Sequence, residues 1–239
     1  MNARPGLQGA APGPLARAPR AVLFDLDGTL VDSNEFHVVA WARAFAQHGL
    51  SVPREVLRAQ IGKGADVLVP DLFPDLDADE RDAMARAHGE IFTSDFIALV
   101  EPFPGASALI NRLHDCGIRI VLASSSAQDE VDRYAGLLQI TELVSATVSL
   151  DDVRKSKPAP DIFALALEKV GVPADTALVV GDTPYDARAA AKCRVPALLL
   201  RSGGFSDAAL LRESPRAIFT DIADLCVHWD SVFSAAMAP

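Results

Sequence analysis

The chain is poor in the features that staple a protein together or carry it into a membrane. Its three cysteines, Cys116, Cys193 and Cys226, are odd in number, far apart and without a Cys-x-x-Cys pair. That argues against a disulfide framework or a thiolate zinc site and leaves three inert, buried thiols as the expectation. No apolar run approaches the ~18 residues a membrane span needs. The first twenty residues carry Pro5, Pro12, Pro14 and Pro19 and lack the continuous apolar stretch of a secretion signal. They read as a flexible tail over residues 1–19, and the expected location is cytoplasmic. Positive charge is also short, with 22 Lys and Arg against 32 Asp and Glu, a formal net charge of −10. Such a field repels nucleic acid and anionic membranes, so neither is expected as a partner. Any anionic ligand must then be captured locally, by a cation or by aimed backbone N–H groups. No Gly-x-Gly-x-x-Gly cradle follows the first strand signal, which sets aside a dinucleotide-binding oxidoreductase. No internal repeat is visible.

What the chain does have is length and apolar content. With 239 residues, half of them hydrophobic, it can bury a substantial core and add a smaller second unit. The first strand signal, Ala21-Val22-Leu23-Phe24, stops abruptly at Asp25-Leu26-Asp27-Gly28-Thr29. Further strand signals lie at Ile118–Ala123, Leu143–Val148, Ala177–Val180 and Ala197–Leu200, separated mostly by amphipathic stretches such as Ser107–Cys116, Asp161–Val170 and Tyr185–Cys193. Short apolar strands alternating with helices predict an α/β fold, a Rossmann-like parallel sheet covered on both faces. From Asp32 to Pro102 the rhythm changes to helical periodicity without a convincing strand: Asn34–Gly49, Arg54–Gln60, Asp66–Leu72 and Asp79–Leu99. This segment reads as an inserted all-helical cap over 33–102, with hinges near Asp32-Ser33 and Glu101–Gly105 and a catalytic core over 20–32 and 103–239.

The chemistry gathers at the strand ends. Residues two apart in an extended segment share a side, so Asp25 and Asp27 can face one mouth, where one carboxylate attacks and its neighbour handles a proton. Val121-Leu122-Ala123 runs into Ser124-Ser125-Ser126, whose hydroxyls and N–H groups can hold phosphate oxygens. Lys157, in a loop stiffened by Pro158 and Pro160, offers a fixed ammonium to offset a dianionic phosphate. Val179-Val180 runs into Gly181-Asp182-Thr183-Pro184-Tyr185-Asp186. There Asp182 can ligate a metal, and Asp186, one helical turn on, can hold a metal-bound water or orient Lys157. Each group alone also fits a plain role, as an Asp-Gly turn, a helix cap or a surface lysine. Four strand ends with complementary polar groups make that coincidence improbable. An oxygen-only ligand set with room for water favours Mg²⁺ over zinc or copper.

In this order the residues resemble the haloacid dehalogenase superfamily, from Arg20 to about residue 230. Asp25-Leu26-Asp27-Gly28-Thr29 looks like its first motif, Ser124 its second, Lys157 its third and Gly181–Asp186 its fourth. The resemblance implies that Asp25 forms an aspartyl-phosphate and that Asp27 serves as general acid and then base. It further implies that Ser124 and Lys157 hold the phosphoryl group, and that Mg²⁺ is bound by Asp25, the backbone carbonyl of Asp27, and Asp182. The helical insertion between the first and second motifs matches the family's C1 cap. Asp32-Ser33-Asn34-Glu35-Phe36-His37 with Trp41 looks like that of β-phosphoglucomutase and phosphoglycolate phosphatase relatives, and Ile61-Gly62-Lys63-Gly64-Ala65-Asp66 like the loop that meets substrate. Asp27 speaks against dehalogenation, since a halide leaving group needs no proton. The implied activity is a Mg²⁺-dependent phosphatase acting on a small phosphorylated metabolite, as a monomer or weak dimer, with Ser125, His37 and Lys63 as further substrate contacts. A phosphomutase is the alternative: His37 fits the place where mutase relatives carry a cap histidine, but Lys63, the closest cation to the arginine they use in the cap loop, lacks its bidentate fork. A non-catalytic binding module is the reading from another class, and the intact set of Asp25, Asp27, Lys157 and Asp182 speaks against it.

Overall fold

The computed structural model describes residues 19–228, so the expected tail, up to residue 18, lies outside the described residues. In chain order the strands are β1 (Ala21–Phe24), β2 (Val31–Asp32), β3 (Glu101–Pro102), β4 (Arg119–Ala123), β5 (Val144–Val148), β6 (Ala177–Gly181), β7 (Ala197–Leu200) and β8 (Ala217–Phe219). The helices are α1 (Asn34–Gln47), α2 (Arg54–Arg58), α3 (Ala65–Leu72), α4 (Ala78–Ile91), α5 (Ala106–Asp115), α6 (Gln128–Leu137), α7 (Asp161–Val170), α8 (Pro184–Lys192), α9 (Asp207–Leu211) and α10 (Ile222–Val227). Six strands form one parallel sheet in the order β5-β4-β1-β6-β7-β8.

β1 sits at the centre of that sheet and is buried throughout. Alternation along the strands sorts its side chains between two cores. Val22, Phe24, Ile120, Leu122, Leu178 and Val180 pack on one face, and Ala21, Leu23, Val121, Ala123, Ala177 and Val179 on the other. Each fully buried aliphatic or aromatic side chain contributes roughly 1.5–3 kcal/mol, and this double burial explains why the central strands read as unbroken apolar runs. Because all six strands are parallel, their carboxyl ends open on the same edge, where the polar motifs lie.

Residues 33–100 hold α1–α4, and Val38, Trp41, Phe45, Leu57, Ile61, Leu68, Val69 and Met84 form a separate small core there. At the two crossings into this unit the chain forms a two-residue antiparallel ladder, Val31 opposite Pro102 and Asp32 opposite Glu101. The ladder ties the two connections together, a feature that neither segment's sequence signals. The helix expected over Asp79–Leu99 instead ends at Ile91 and continues as a five-residue π-type turn, Phe92–Phe96, and a 3₁₀ turn, Ile97–Leu99. That widening places Phe92, fully buried, under the polar groups of the cleft. β8, α9 and α10 were not anticipated; they are too short for periodicity to register. The three cysteines are free, as expected, but half-buried rather than buried. Among the described residues no helix is long and apolar enough to cross a membrane.

Candidate active site

Asp25 follows β1 directly, its N–H donating to the Val180 carbonyl at 2.9 Å, so the ladder runs up to the first acidic residue. Its carboxylate meets Lys157 Nζ at 2.6 Å, and the same ammonium lies 2.8 Å from Asp186 Oδ1. Lys157 is fully buried and lies 5.3 Å above the Phe163 ring. Burial pushes its ammonium down, but Asp186 and Asp25 more than reverse this and hold it above the ordinary lysine range. Asp186 also closes the first turn of α8: its Oδ2 accepts from Thr183 N at 3.1 Å and Thr183 Oγ1 at 2.7 Å. One carboxylate oxygen of Asp186 thus caps the start of α8 and the other faces Lys157.

Asp182 is fully buried, with only neutral hydrogen-bond partners. Thr29 Oγ1 donates to it at 3.1 Å and Asn34 Nδ2 at 2.9 Å. The close approach depends on Gly28, which turns at φ +73° and whose added Cβ would lie 2.1 Å from Asp182 Oδ2. Burial, and then repulsion from Asp25 and Asp186, raise Asp182 well above the usual carboxylate range. Burial likewise dominates at Asp25, pushing it up to about 7 against the opposing pull of Lys157. Candidate ligand oxygens of Asp25, Asp182 and Asp186 lie within 4.8 Å of one another. Three buried carboxylates share one ammonium, leaving a formal excess of two negative charges largely withdrawn from solvent. An oxygen-only donor set with that excess fits a hard divalent cation.

Asp27 turns away from this cluster. Its Oδ1 accepts from Ser33 Oγ at 2.5 Å and from His37 Nε2 at 3.1 Å, and its Oδ2 from Ser126 Oγ at 2.8 Å. Burial pushes Asp27 up, but the charge and hydrogen bond of His37, with those of Ser33 and Ser126, hold it far below the usual range. His37 is raised for the reciprocal reason, after burial has pulled it down. Its ring stacks on Phe92 at 3.9 Å, and its Nδ1 lies 3.3 Å from Nε2 of His88. Burial and then His37 push His88 well below its ordinary value, which favours its neutral form as an acceptor for a His37 that donates at both nitrogens. Trp41 stacks on His88 at 4.1 Å.

The strand side and the helical side enclose one cavity of about 180 Å³, lined by Asp25, Asp27, His37, Lys63, Ser124 and Ser125 among others. Ser124 is buried and its Oγ accepts from Ser126 N at 3.0 Å. Lys63 lines the cavity, but its ammonium is held by Gln60 and by Asp71 at 2.6 Å, and it lies 4.7 Å over the Tyr185 ring. The loop carrying it is seated on the core. Gly64 N donates to Ser156 Oγ and Ser156 N to Asp66 Oδ2, both at 2.9 Å, and Tyr185 Oη donates to the Ala59 carbonyl. All the sequence-identified site residues except Lys157, Asp182 and Asp186 line the cavity, and these three stand directly behind Asp25. Sequence reasoning gave Ser126 no role of its own and missed His88 and the hydrogen bonds that Thr29 and Asn34 donate to Asp182. Ser126 was within reach, lying two residues beyond Ser124. His88, in the middle of α4, has no local signal at all.

Known proteins resemble this chain over most of its length. The family model of haloacid dehalogenase-like hydrolases matches residues 22–200. A phosphoglycolate phosphatase of Rhodospirillum rubrum is 31% identical over 219 residues, covering 87% of this chain and 89% of its own length. A validoxylamine A 7'-phosphate phosphatase of Streptomyces hygroscopicus is 28% identical, covering 74% of this chain and 83% of its own. Among solved structures, a hydrolase from Pseudomonas syringae superposes with a TM-score of 0.84 at 27% identity, covering 89% of this chain and 99% of that one.

Proposed function

The chain belongs to the haloacid dehalogenase-like hydrolase family, and we propose that it is a Mg²⁺-dependent phosphatase that hydrolyses a small phosphorylated metabolite through an aspartyl-phosphate on Asp25. The observation that carries this reading is the buried Lys157 bridging Asp25 and Asp186 beside Asp182. The ammonium fixes the attacking carboxylate in place and offsets its repulsion from a phosphate dianion. Asp25, the backbone carbonyl of Asp27, and Asp182 would hold the Mg²⁺, which supplies charge neutralisation for the phosphoryl oxygens.

Asp25 attacks phosphorus as the bond to the leaving oxygen breaks, and Ser124 holds a phosphoryl oxygen. Asp27 and the protonated His37 share one proton across a 3.1 Å hydrogen bond. The pair can give that proton to the leaving oxygen, and Asp27 then takes one from the water that opens the aspartyl-phosphate. Residues 33–102 act as a cap that seats its 61–66 loop on the core and keeps bulk water from the intermediate. A phosphomutase would need a free cation on the helical side for a second phosphate, and Lys63 is already held by Asp71 and Gln60. The test is phosphate release from p-nitrophenyl phosphate in Mg²⁺ by wild type and Asp25→Asn. Loss of turnover with an intact fold is expected, and retained turnover by the variant would remove Asp25 from the nucleophile's role.

A further inference from the structure

Behind Asp27 the first turn of α6 brings a third acid, Glu130, to the cavity wall. Glu130 is only 7% exposed, and its Oε2 is buried without a hydrogen-bond partner. An acid in such a place is usually neutralised or paired. Ser125 Oγ, on the same wall, is likewise buried and unpartnered. Two unspent polar groups facing one small cavity are suited to a ligand that supplies their partners.

The rest of the lining restricts that ligand's chemistry. Of the cations among the described lining residues, His37 is committed to Asp27 and Lys63 to Asp71 and Gln60, while His88 is neutral. A second anionic group would be placed near Asp27 and Glu130 with no free cation to meet it. A metal on this side fares no better: Asp27, His37 and Glu130 offer ligand atoms within 4.8 Å of one another, but both ring nitrogens of His37 are spent as donors. A hydroxyl has no such conflict, since it can donate to Glu130 and accept from Ser125. Trp41, Ile61 and Ala85 supply apolar walls for a carbon chain, and about 180 Å³ is small beside the roughly 300–1,000 Å³ of ordinary ligand pockets.

We propose that Glu130, with Ser125, selects the organic half of the substrate, and that the substrate is a short hydroxylated phosphate monoester carrying no second anionic group. Burial pushes Glu130 up to about 7, reinforced by Asp27 and Asp129 and opposed by His37 and a hydrogen bond with Ser126, so the opening for a ligand is at the one oxygen, Oε2, that has no partner. The proposal rests on the hydrolase reading above and adds the substrate's class to it.

The test compares kcat/KM for glycerol 1-phosphate, propyl phosphate and phosphoglycolate in wild type, Glu130→Ala and Glu130→Gln. Wild type should favour glycerol 1-phosphate over each of the other two by at least about tenfold, because a site built to bond a hydroxyl rejects the analogue lacking it. Glu130→Ala should bring glycerol 1-phosphate and propyl phosphate to near parity, chiefly through KM, and Glu130→Gln, which keeps an acceptor oxygen, should retain part of the preference. Equal losses on both esters would make Glu130 a structural residue and overturn the proposal, as would a wild-type preference for phosphoglycolate even if Glu130→Ala failed to fold. Hydrolysis without hydroxyl dependence overturns this proposal alone. No phosphate release from any ester by wild type overturns the hydrolase reading with it.

Discussion

The strand side and the helical side of the cavity solve the problem of placing polar groups in opposite ways. At the strand ends the partners come from far apart in the chain, with Lys157 reaching Asp25 across 132 positions and Thr29 reaching Asp182 across 153. Both ends of each contact are buried and anchored to a central sheet. On the helical side several charged groups instead pair at the surface, as Glu35 does with Arg54 and Arg58 and Arg43 with Asp95. Exposed pairs of that kind contribute roughly 0–1 kcal/mol each. The strand side carries the groups for the chemistry common to phosphate esters and, in Glu130 and Ser125, the groups proposed to choose among them, while the helical side closes the cavity over both.

That contrast can be tested from its strong end downward. Asp25→Asn should lower kcat by at least about 10³-fold, as loss of a covalent nucleophile does, with no loss of thermal stability, because a neutral amide replaces a carboxylate that burial already disfavours. Lys157→Met should cost about 3–5 kcal/mol in denaturant unfolding, since it strands Asp25 and Asp186 without their buried cation. A smaller loss would show that the strand side is less dependent on its charges than its burial suggests.

Metal removal probes the same cluster through pH. Asp25 is raised to about 7 from 3.8, so its proton is held more tightly in the folded state. Its contribution to stability is complete below pH 3.8 and is lost as pH rises through about 7. The metal-free protein should therefore lose stability across that window. Mg²⁺ should raise Tm by several degrees at pH 8 and by less at pH 5, where protons compete for the same oxygens. Equal shifts at both pH values would remove Asp25 from the metal site.

On the helical side the expected effects are smaller. Gly62 turns at φ +98°, and an added Cβ would lie 2.6 Å from Thr183 Cγ2. Gly62→Ala should unseat the loop at a cost of about 1–3 kcal/mol, read mainly as a higher KM. Asp66→Ala removes the acceptor for Ser156 N–H and should cost about 1–2 kcal/mol, with KM rising more than kcat falls. A kcat loss as large as that of Asp25→Asn in either variant would erase the distinction between the two sides.

Reading the sequence alone reached unevenly into these two halves. The parallel sheet was legible because β1, β4, β6 and β7 are short, apolar and buried on both faces, and the polar residues at their ends stand out against that background. Asp25, Asp27, Ser124 and Asp182 were legible as candidates for the same reason, and Lys157 through the prolines that stiffen its loop. The end of α4 was not, because Ile91 to Leu99 keeps a helical composition while its hydrogen bonding shifts register. His37 was noticed as a cap histidine, yet its partner His88 lies 51 positions away on another helix, and nothing near either residue announces the pair.

Local chemistry, then, determined which groups are present and which strand ends carry them, because burial imposes a pattern on each strand that can be read residue by residue. Only the tertiary structure decided how those groups are paired. It turned Asp25 toward Lys157 and Asp27 toward His37 although they are two residues apart, and it left one oxygen of Glu130 without a partner. Pairing depends on which distant elements meet across the cleft, and no local periodicity carries that information.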